Sequence, residues 1–179
     1  MTSLALDVVK AALFILLAAV VQVSFVNAFE LAEGHADIVV LVLTGTALLR
    51  GPIFGACAGF FAGLVLDIAT FGTIGLSSLL LTLAGYAAGR LGEATSAHQN
   101  QRARILVTVA LVTVGVEVGS LIVHTLLGES AAVGTIIWRV LLPELGLNLL
   151  LAVPVYALCR LVFPPPPRRE RELPEVPAV

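Results

Sequence analysis

Six long apolar segments dominate this chain and leave little else from which to build a fold. They cover residues 8–29, 38–49, 53–69, 74–91, 105–127 and 136–163. A helix needs about 20 mostly apolar residues to cross a bilayer, or about 17 where the bilayer is thin. Charged residues make up 12% of the chain, about half the share that covers a soluble domain. We therefore expect an all-α, polytopic membrane bundle of six transmembrane helices.

The second apolar segment is short for a helix that crosses a membrane, since it covers only residues 38–49. It can cross where the bilayer is thin, cross with little tilt, or form half of a re-entrant hairpin with the third segment. We expect it to cross.

Charged residues between the segments and at their ends alternate between two sides. One side holds Arg50, Arg90, Arg102, Arg104, Arg160, Arg168, Arg169 and Arg171. The other side holds Glu30, Glu33, Asp37, Asp67 and Glu129. Because Lys and Arg mark the cytoplasmic side of a membrane protein, both termini are predicted to be cytoplasmic, in a multi-pass protein of the cytoplasmic membrane.

The two ends of the chain differ in character. Lys10, the apolar run after it and residues 26–28 resemble a cleaved signal peptide. Asp7 and the length of the run argue against cleavage, so residues 1–163 are predicted to form one transmembrane domain. Residues 164–179 begin with four prolines and continue with charges, which predicts a disordered cytoplasmic tail. This tail either anchors the topology or binds a cytoplasmic protein or anionic lipid headgroups.

Glycines recur at every fourth position of the third segment, and the next step is a carboxylate. The row comprises Gly51, Gly55, Gly59, Gly63 and Asp67. Four residues turn a helix by about 400°, so the row drifts and favours a neighbour that crosses at an angle. We expect the fourth segment to be this neighbour, through Ser78, Thr82, Gly85 and Gly89. The alternative neighbour is a helix of another protein.

Asp67 allows three interpretations. It is solvated at the membrane surface, it orders the turn over residues 70–75, or it pairs with a cation. The candidate cation on the same side is Arg139, which breaks the positive-inside pattern.

The fifth and sixth segments carry polar groups deep in apolar sequence. In the fifth, Thr113, Glu117, Ser120 and His124 share one helical face, and Gly115 and Gly119 lie on the opposite face. In the sixth, Glu144 and Asn148 are one turn apart, between Pro143 and Pro154. Intramembrane polar groups either hold helices together or form a functional site, and both interpretations stay open.

Several classes of function are disfavoured. Cys57 and Cys159 lie in apolar runs and are expected to be free thiols. His35, His98 and His124 are far apart in the predicted topology, so we expect no metal site. We find none of the common catalytic or phosphate-binding motifs, so we expect neither an enzyme nor a cofactor. A net charge of -2 offers no basic field for nucleic acid.

The chain resembles the bacterial rod shape-determining MreD family. The resemblance rests on residues 58–67 (AGFFAGLVLD), 72–76 (GTIGL) and 83–91 (LAGYAAGRL). In the last segment, Leu141-Leu142-Pro143 and Asn148-Leu149-Leu150 are similar to the family's pattern. The first loop, with its three carboxylates, is longer and more acidic than that family leads us to expect.

This resemblance implies a non-enzymatic subunit of the complex that synthesises the lateral cell wall. The implied partners are the scaffold MreC, the glycosyltransferase RodA, a penicillin-binding transpeptidase and, on the cytoplasmic side, the filament protein MreB. The family is also similar in fold to the substrate-binding S components of energy-coupling-factor vitamin transporters, which supplies an alternative function. A structural membrane protein without a pocket is a third.

We therefore expect a scaffold that holds a partner's transmembrane helix. Its helix-packing surface would be formed by Gly55, Gly59, Gly63, Gly85, Gly89, Gly115 and Gly119. Its polar contacts would come from Asp67, Glu117, His124, Arg139, Glu144 and Asn148.

Overall fold

A computed structural model describes residues 2–28, 36–71, 73–95, 100–128 and 141–164, and within these ranges the regular structure is entirely helical. The helices are α1 (Thr2–Ala28), α2 (Ile38–Arg50), α3 (Pro52–Thr70), α4 (Leu76–Thr95), α5 (Gln101–Leu126) and α6 (Leu142–Val162). Each corresponds to one of the predicted apolar segments. Residues 136–140 of the sixth segment, the first loop over residues 29–35 and the tail beyond residue 164 lie outside the described residues.

The shortest helix, α2, forms the centre of the bundle. It has 13 residues, which gives a length of about 20 Å at 1.5 Å per residue. Every residue from Val39 to Ala47 is buried. The other five helices all pack against α2, and contacts between neighbours follow the order α1, α3, α4, α5, α6 around it. Because protein surrounds α2, its backbone and side chains need not match the thickness of the lipid.

The glycine row of α3 packs directly on the backbone of α4. A Cβ atom added to Gly55 would collide with the carbonyl of Gly85, and one added to Gly59 with the carbonyl of Leu81. A Cβ atom on Gly63 would meet the backbone of Ser78, and one on Gly89 would meet that of Pro52. The row is therefore filled from within the chain. It leaves no space for the partner helix that we considered as an alternative neighbour.

Successive helices run in opposite directions, so the bundle has two distinct ends. At one end Asp7 near the start of α1 pairs with Arg50 at the end of α2, at 3.0 Å. The guanidinium of Arg50 also lies 5.7 Å from the ring centroid of Phe163, just beyond α6. The start of α1 and the end of α6 therefore lie at the same end. We call it the arginine end, because it carries Arg50, Arg90, Arg102, Arg104 and Arg160, and we call the opposite one the carboxylate end.

Four of the helices are long and apolar enough to cross a membrane. The spans are Asp7–Ser24, Pro52–Thr70, Gln101–Leu126 and Leu142–Val162. α2 is too short to belong to this set, and α4, whose last turns carry Arg90 and Glu93, is not in it either. Six crossings and the cytoplasmic position of the termini thus stay predictions. Large apolar side chains such as Leu13, Leu17, Phe61, Leu83 and Leu150 are exposed, as suits helices that face lipid.

Candidate functional site

Asn148 joins three helices in the interior of the bundle. Its side chain, on α6, is completely buried. Its amide nitrogen donates a hydrogen bond to the hydroxyl oxygen of Thr113 on α5, at 3.2 Å. Its amide oxygen accepts one from the backbone N–H of Asp37, the residue that precedes α2, at 2.9 Å. Asparagine commonly bridges helices in this way in membrane bundles, where an unpaired amide would be costly.

The first backbone N–H groups of α2 are paired by side chains. Such groups have no partner inside their own helix, and in the bundle interior they cannot rely on water. The carboxylate of Asp37 accepts a hydrogen bond from the N–H of Val40 at 3.0 Å. The amide oxygen of Gln22, on α1, accepts one from the N–H of Val39 at 2.9 Å. Side chains from α1 and α6 therefore fix the point at which the chain enters α2.

Two carboxyl groups meet beside Asn148. Glu144, in the first turn of α6, is only 4% exposed. The side chains of Glu117 on α5 and of Asn148 lie beside it, and the charge of Asp37 also acts on it. The two glutamates therefore bring α5 and α6 together at this point.

Asp67 organises the connection between α3 and α4. It is buried, with 2% exposure. One carboxylate oxygen accepts a hydrogen bond from the N–H of Gly75 at 2.7 Å, and the other accepts one from the N–H of Ser77 at 3.2 Å. These groups belong to the start of α4, where a negative charge is favourable. Of the three interpretations of Asp67, the structure shows the one in which it orders the turn.

The other predicted polar residues do not all join this cluster. His124 is half-buried in the last turn of α5, two turns beyond Glu117. Arg139 lies outside the described residues, so its predicted pairing with Asp67 has no structural test. Within the described part of the chain, no group of three or more His, Cys, Asp or Glu side chains is arranged to hold a metal ion.

Gly115 and Gly119 differ from the other five predicted packing glycines. A Cβ atom on Gly115 would have no neighbour within 4 Å, and one on Gly119 would meet only the terminal carbon of Leu80, at 2.7 Å. Both border an apolar groove of about 220 Å³ between α4 and α5, which we call the α4–α5 groove. Its walls include Leu83 and Ala87 from α4 and Leu111 from α5. These two glycines therefore line an open surface, while the other five are closely packed within the chain.

Sequence reasoning missed the role of Gln22 and took Asp37 only as a loop charge. Gln22 is the single polar residue between Ala11 and Val23 in an otherwise apolar run. Such a residue commonly has a buried partner, and this was the available signal. The partner itself, a backbone N–H of α2, is defined only by the packing of α1 on α2.

The polar cluster thus contains one or two side chains from each of three helices, together with the side chain of Asp37, which precedes α2. Its members are Gln22, Asp37, Thr113, Glu117, Glu144 and Asn148. They hydrogen-bond to one another and to the start of α2, so the arrangement fixes the positions of helices and does not resemble a catalytic constellation.

Comparison with known families bears on the whole bundle. The family model of the rod shape-determining protein MreD matches residues 3–162, which include all six helices apart from Thr2, the first residue of α1. No curated protein matches the chain, and no solved structure does. The match extends over nine-tenths of the chain, and it agrees with the apolar helices of a membrane protein. The chain belongs to the MreD family of rod shape-determining proteins.

Proposed function

We propose that this protein is a non-enzymatic scaffold of the bacterial cell-elongation machinery in the cytoplasmic membrane. In this proposal it binds the transmembrane helix of MreC and connects it with RodA, a penicillin-binding transpeptidase and MreB. The observation that carries the proposal is the MreD family match over residues 3–162. Vitamin binding, the alternative that the sequence left open, gains no support from a match to a shape-determining family.

The α4–α5 groove is our candidate for the surface that receives the MreC helix. It is apolar, and it lies along α5, one of the helices that is long enough to span the membrane. Gly115 and Gly119 stand four residues apart, the spacing that lets two membrane helices approach closely. The row on α3 has the same spacing, but α4 already covers it. We therefore place the partner-binding surface on α5 and not on α3, where the sequence suggested it.

The polar cluster lies on the side of α5 opposite to this surface. Thr113 and Glu117 are two residues before Gly115 and Gly119, which places each pair about 200° apart around α5. Thr113 is held by Asn148, and Glu117 lies beside Glu144. The network therefore fixes the rotation of α5, and this rotation turns the two glycines away from α6. A rigid groove loses less entropy when a helix docks into it.

The test is co-purification of MreC with variants of the groove. Gly115→Leu fills space that is empty in the free protein, so it should leave the thermal stability of the isolated bundle close to that of the wild type. It should reduce the MreC recovered from co-expressing membranes several-fold. The matched control is Gly146→Leu on α6, because a Cβ atom at Gly146 also has no neighbour within 4 Å. Full recovery of MreC with a stable Gly115→Leu variant would remove the groove from the proposal.

The orientation in the membrane follows from the arginine end. Under the positive-inside rule this end faces the cytoplasm, where MreB would meet it. Reporter domains fused to the C-terminus, one active only in the cytoplasm and one only outside it, test this orientation. Activity of the external reporter would contradict it.

A further inference from the structure

A cleft at the arginine end lies between the first turns of α5 and the last turns of α6. It has a volume of about 950 Å³. Arg102 lines it from α5 and Arg160 lines it from α6, and both side chains are exposed. Two polar side chains in its lining contact each other: the amide of Gln101 donates a hydrogen bond of 3.3 Å to the hydroxyl of Tyr156. The polar cluster and the α4–α5 groove lie elsewhere in the bundle, so the proposed binding of the MreC helix leaves this cleft unused.

The charges in the cleft have one sign. No Asp or Glu is among the described residues that line it. Two guanidinium groups on separate helices can bind one phosphate group from two sides, with charge-assisted hydrogen bonds. Arg102 also lies at the N-terminus of α5, where the helix dipole favours an anion. The cleft is therefore suited to a ligand that carries a negative charge and no positively charged ammonium group.

The chemical character of the cleft changes along the helices. Leu106 is one turn further into the bundle than Arg102, and Val153 is about two turns further in than Arg160. Both line the cleft, and Val153 is 38% exposed. α5 and α6 are both apolar enough to span a membrane. The cleft thus has a cationic part at the end of the bundle and an apolar wall that continues toward the membrane centre.

We propose that this cleft binds an anionic phospholipid of the surrounding bilayer. The phosphate lies between Arg102 and Arg160, and one acyl chain runs along Leu106 and Val153. A basic pocket between membrane helices on the cytoplasmic side is a recognised form of lipid headgroup site. The zwitterionic lipid phosphatidylethanolamine fits less well, because its ammonium group has no carboxylate partner among the described lining residues. This proposal rests on the membrane location and is independent of binding to MreC.

The experiment measures lipid binding to the purified full-length protein in detergent, by native mass spectrometry and by thermal stability. The probes are phosphatidylglycerol and phosphatidylethanolamine of equal chain length. We expect the wild type to bind phosphatidylglycerol roughly tenfold or more tightly than phosphatidylethanolamine. The double variant R102Q/R160Q should lose most of this preference. Equal binding of the two lipids by the wild type would overturn the proposal.

The matched control is Arg90→Gln. Arg90 is at the same end and is exposed, but it pairs with Glu93 at 3.3 Å and does not line the cleft. This variant should keep the preference for phosphatidylglycerol. An equal loss of this preference in R90Q and in R102Q/R160Q would mean that lipid binding depends only on the total charge at this end of the protein. The cleft would then be rejected as the binding site.

A second variant distinguishes the binding of a phospholipid from the binding of a free phosphate or an acidic peptide. Val153→Trp fills the apolar part of the cleft and leaves both arginines in place. It should weaken the binding of phosphatidylglycerol several-fold, with no effect on the weak binding of inorganic phosphate. Unchanged phosphatidylglycerol binding in V153W would show that no acyl chain occupies the cleft, and this result would also overturn the proposal.

Discussion

Asn148 and Asp37 are 111 positions apart in the chain, and a hydrogen bond of 2.9 Å joins the side-chain oxygen of Asn148 to the backbone N–H of Asp37. This contact attaches α6 to the first residue before the central helix. Since the same amide also donates to Thr113 on α5, one side chain holds three helices in register.

Replacement of Asn148 by leucine should destabilise the bundle. The change keeps a similar volume but leaves the N–H of Asp37 without its acceptor and removes the donor to Thr113, at a cost of about 1–3 kcal/mol for the buried groups. Thermal unfolding of the purified protein in detergent measures the loss. Leu150→Ala is the control on the same helix, because Leu150 is 73% exposed and should tolerate the change. A Tm for N148L equal to that of the control would contradict this role for the amide.

The glycine row gives the second prediction. Gly59→Ala should destabilise the protein by about 1–3 kcal/mol, because the new Cβ atom meets the carbonyl of Leu81, which is backbone and cannot rotate away. Gly115→Ala introduces the same methyl group into open space, so its Tm should stay within a degree or two of the wild type. The difference in Tm between the two variants is the measurement. If both have the same stability, α3 and α4 are not in backbone contact at Gly59.

This prediction also changes how partner binding can be tested. From the sequence, Gly59 and Gly63 were expected to belong to the surface that holds a partner's transmembrane helix. In the structure both glycines face the backbone of α4, so leucine there would disturb the fold itself. Loss of a partner from such a variant would carry no information about the partner's site.

The apolar segments predicted the helices well, because hydropathy and length alone decide which stretches can lie in lipid. The row of glycines likewise predicted its neighbour, since the fourth segment follows after a short turn and carries small residues at Ser78, Gly85 and Gly89. In both cases the determining information lies within about 40 consecutive residues.

The central position of α2 could not be predicted in the same way. Its sequence, IVVLVLTGTALLR, is mostly apolar, with Thr44, Thr46 and Arg50 as its polar residues. Such a sequence suits both a helix that faces lipid and a helix surrounded by protein. The contacts that decide between them come from five separate helices. The polar cluster has the same limitation. Glu144 and Asn148 were expected to lie one turn apart on the same side of the sixth helix, but their partners Glu117, Thr113 and Asp37 come together only through tertiary packing.

Asp67 gives the third prediction. Asp67→Ala removes both acceptors at the start of α4 and should cost about 1–2 kcal/mol, the usual effect of losing an N-terminal cap. Asp67→Asn keeps one oxygen acceptor and should lose less stability than the alanine variant. Limited proteolysis of the 70–76 connection, together with Tm, measures the effect, since cleavage there should be faster in D67A. Equal protection in D67A and the wild type would show that the carboxylate does not order this turn.

The ion pair between Asp7 and Arg50 gives the last prediction, which a double-mutant cycle can test. The two side chains are 17% and 21% exposed, so water screens their attraction less than at an open surface. With the variants D7N, R50Q and D7N/R50Q, we expect a coupling energy of about 1 kcal/mol in thermal or denaturant unfolding. The pair of Arg90 and Glu93 at the same end is the matched control, because its side chains are 62% and 54% exposed and such pairs contribute about 0.3–0.5 kcal/mol. A coupling for Asp7 and Arg50 no larger than that of the control would mean that the ion pair adds little to the attachment of α1, which Ile15, Ala18 and Ala19 in the core and the hydrogen bond of Gln22 would then provide.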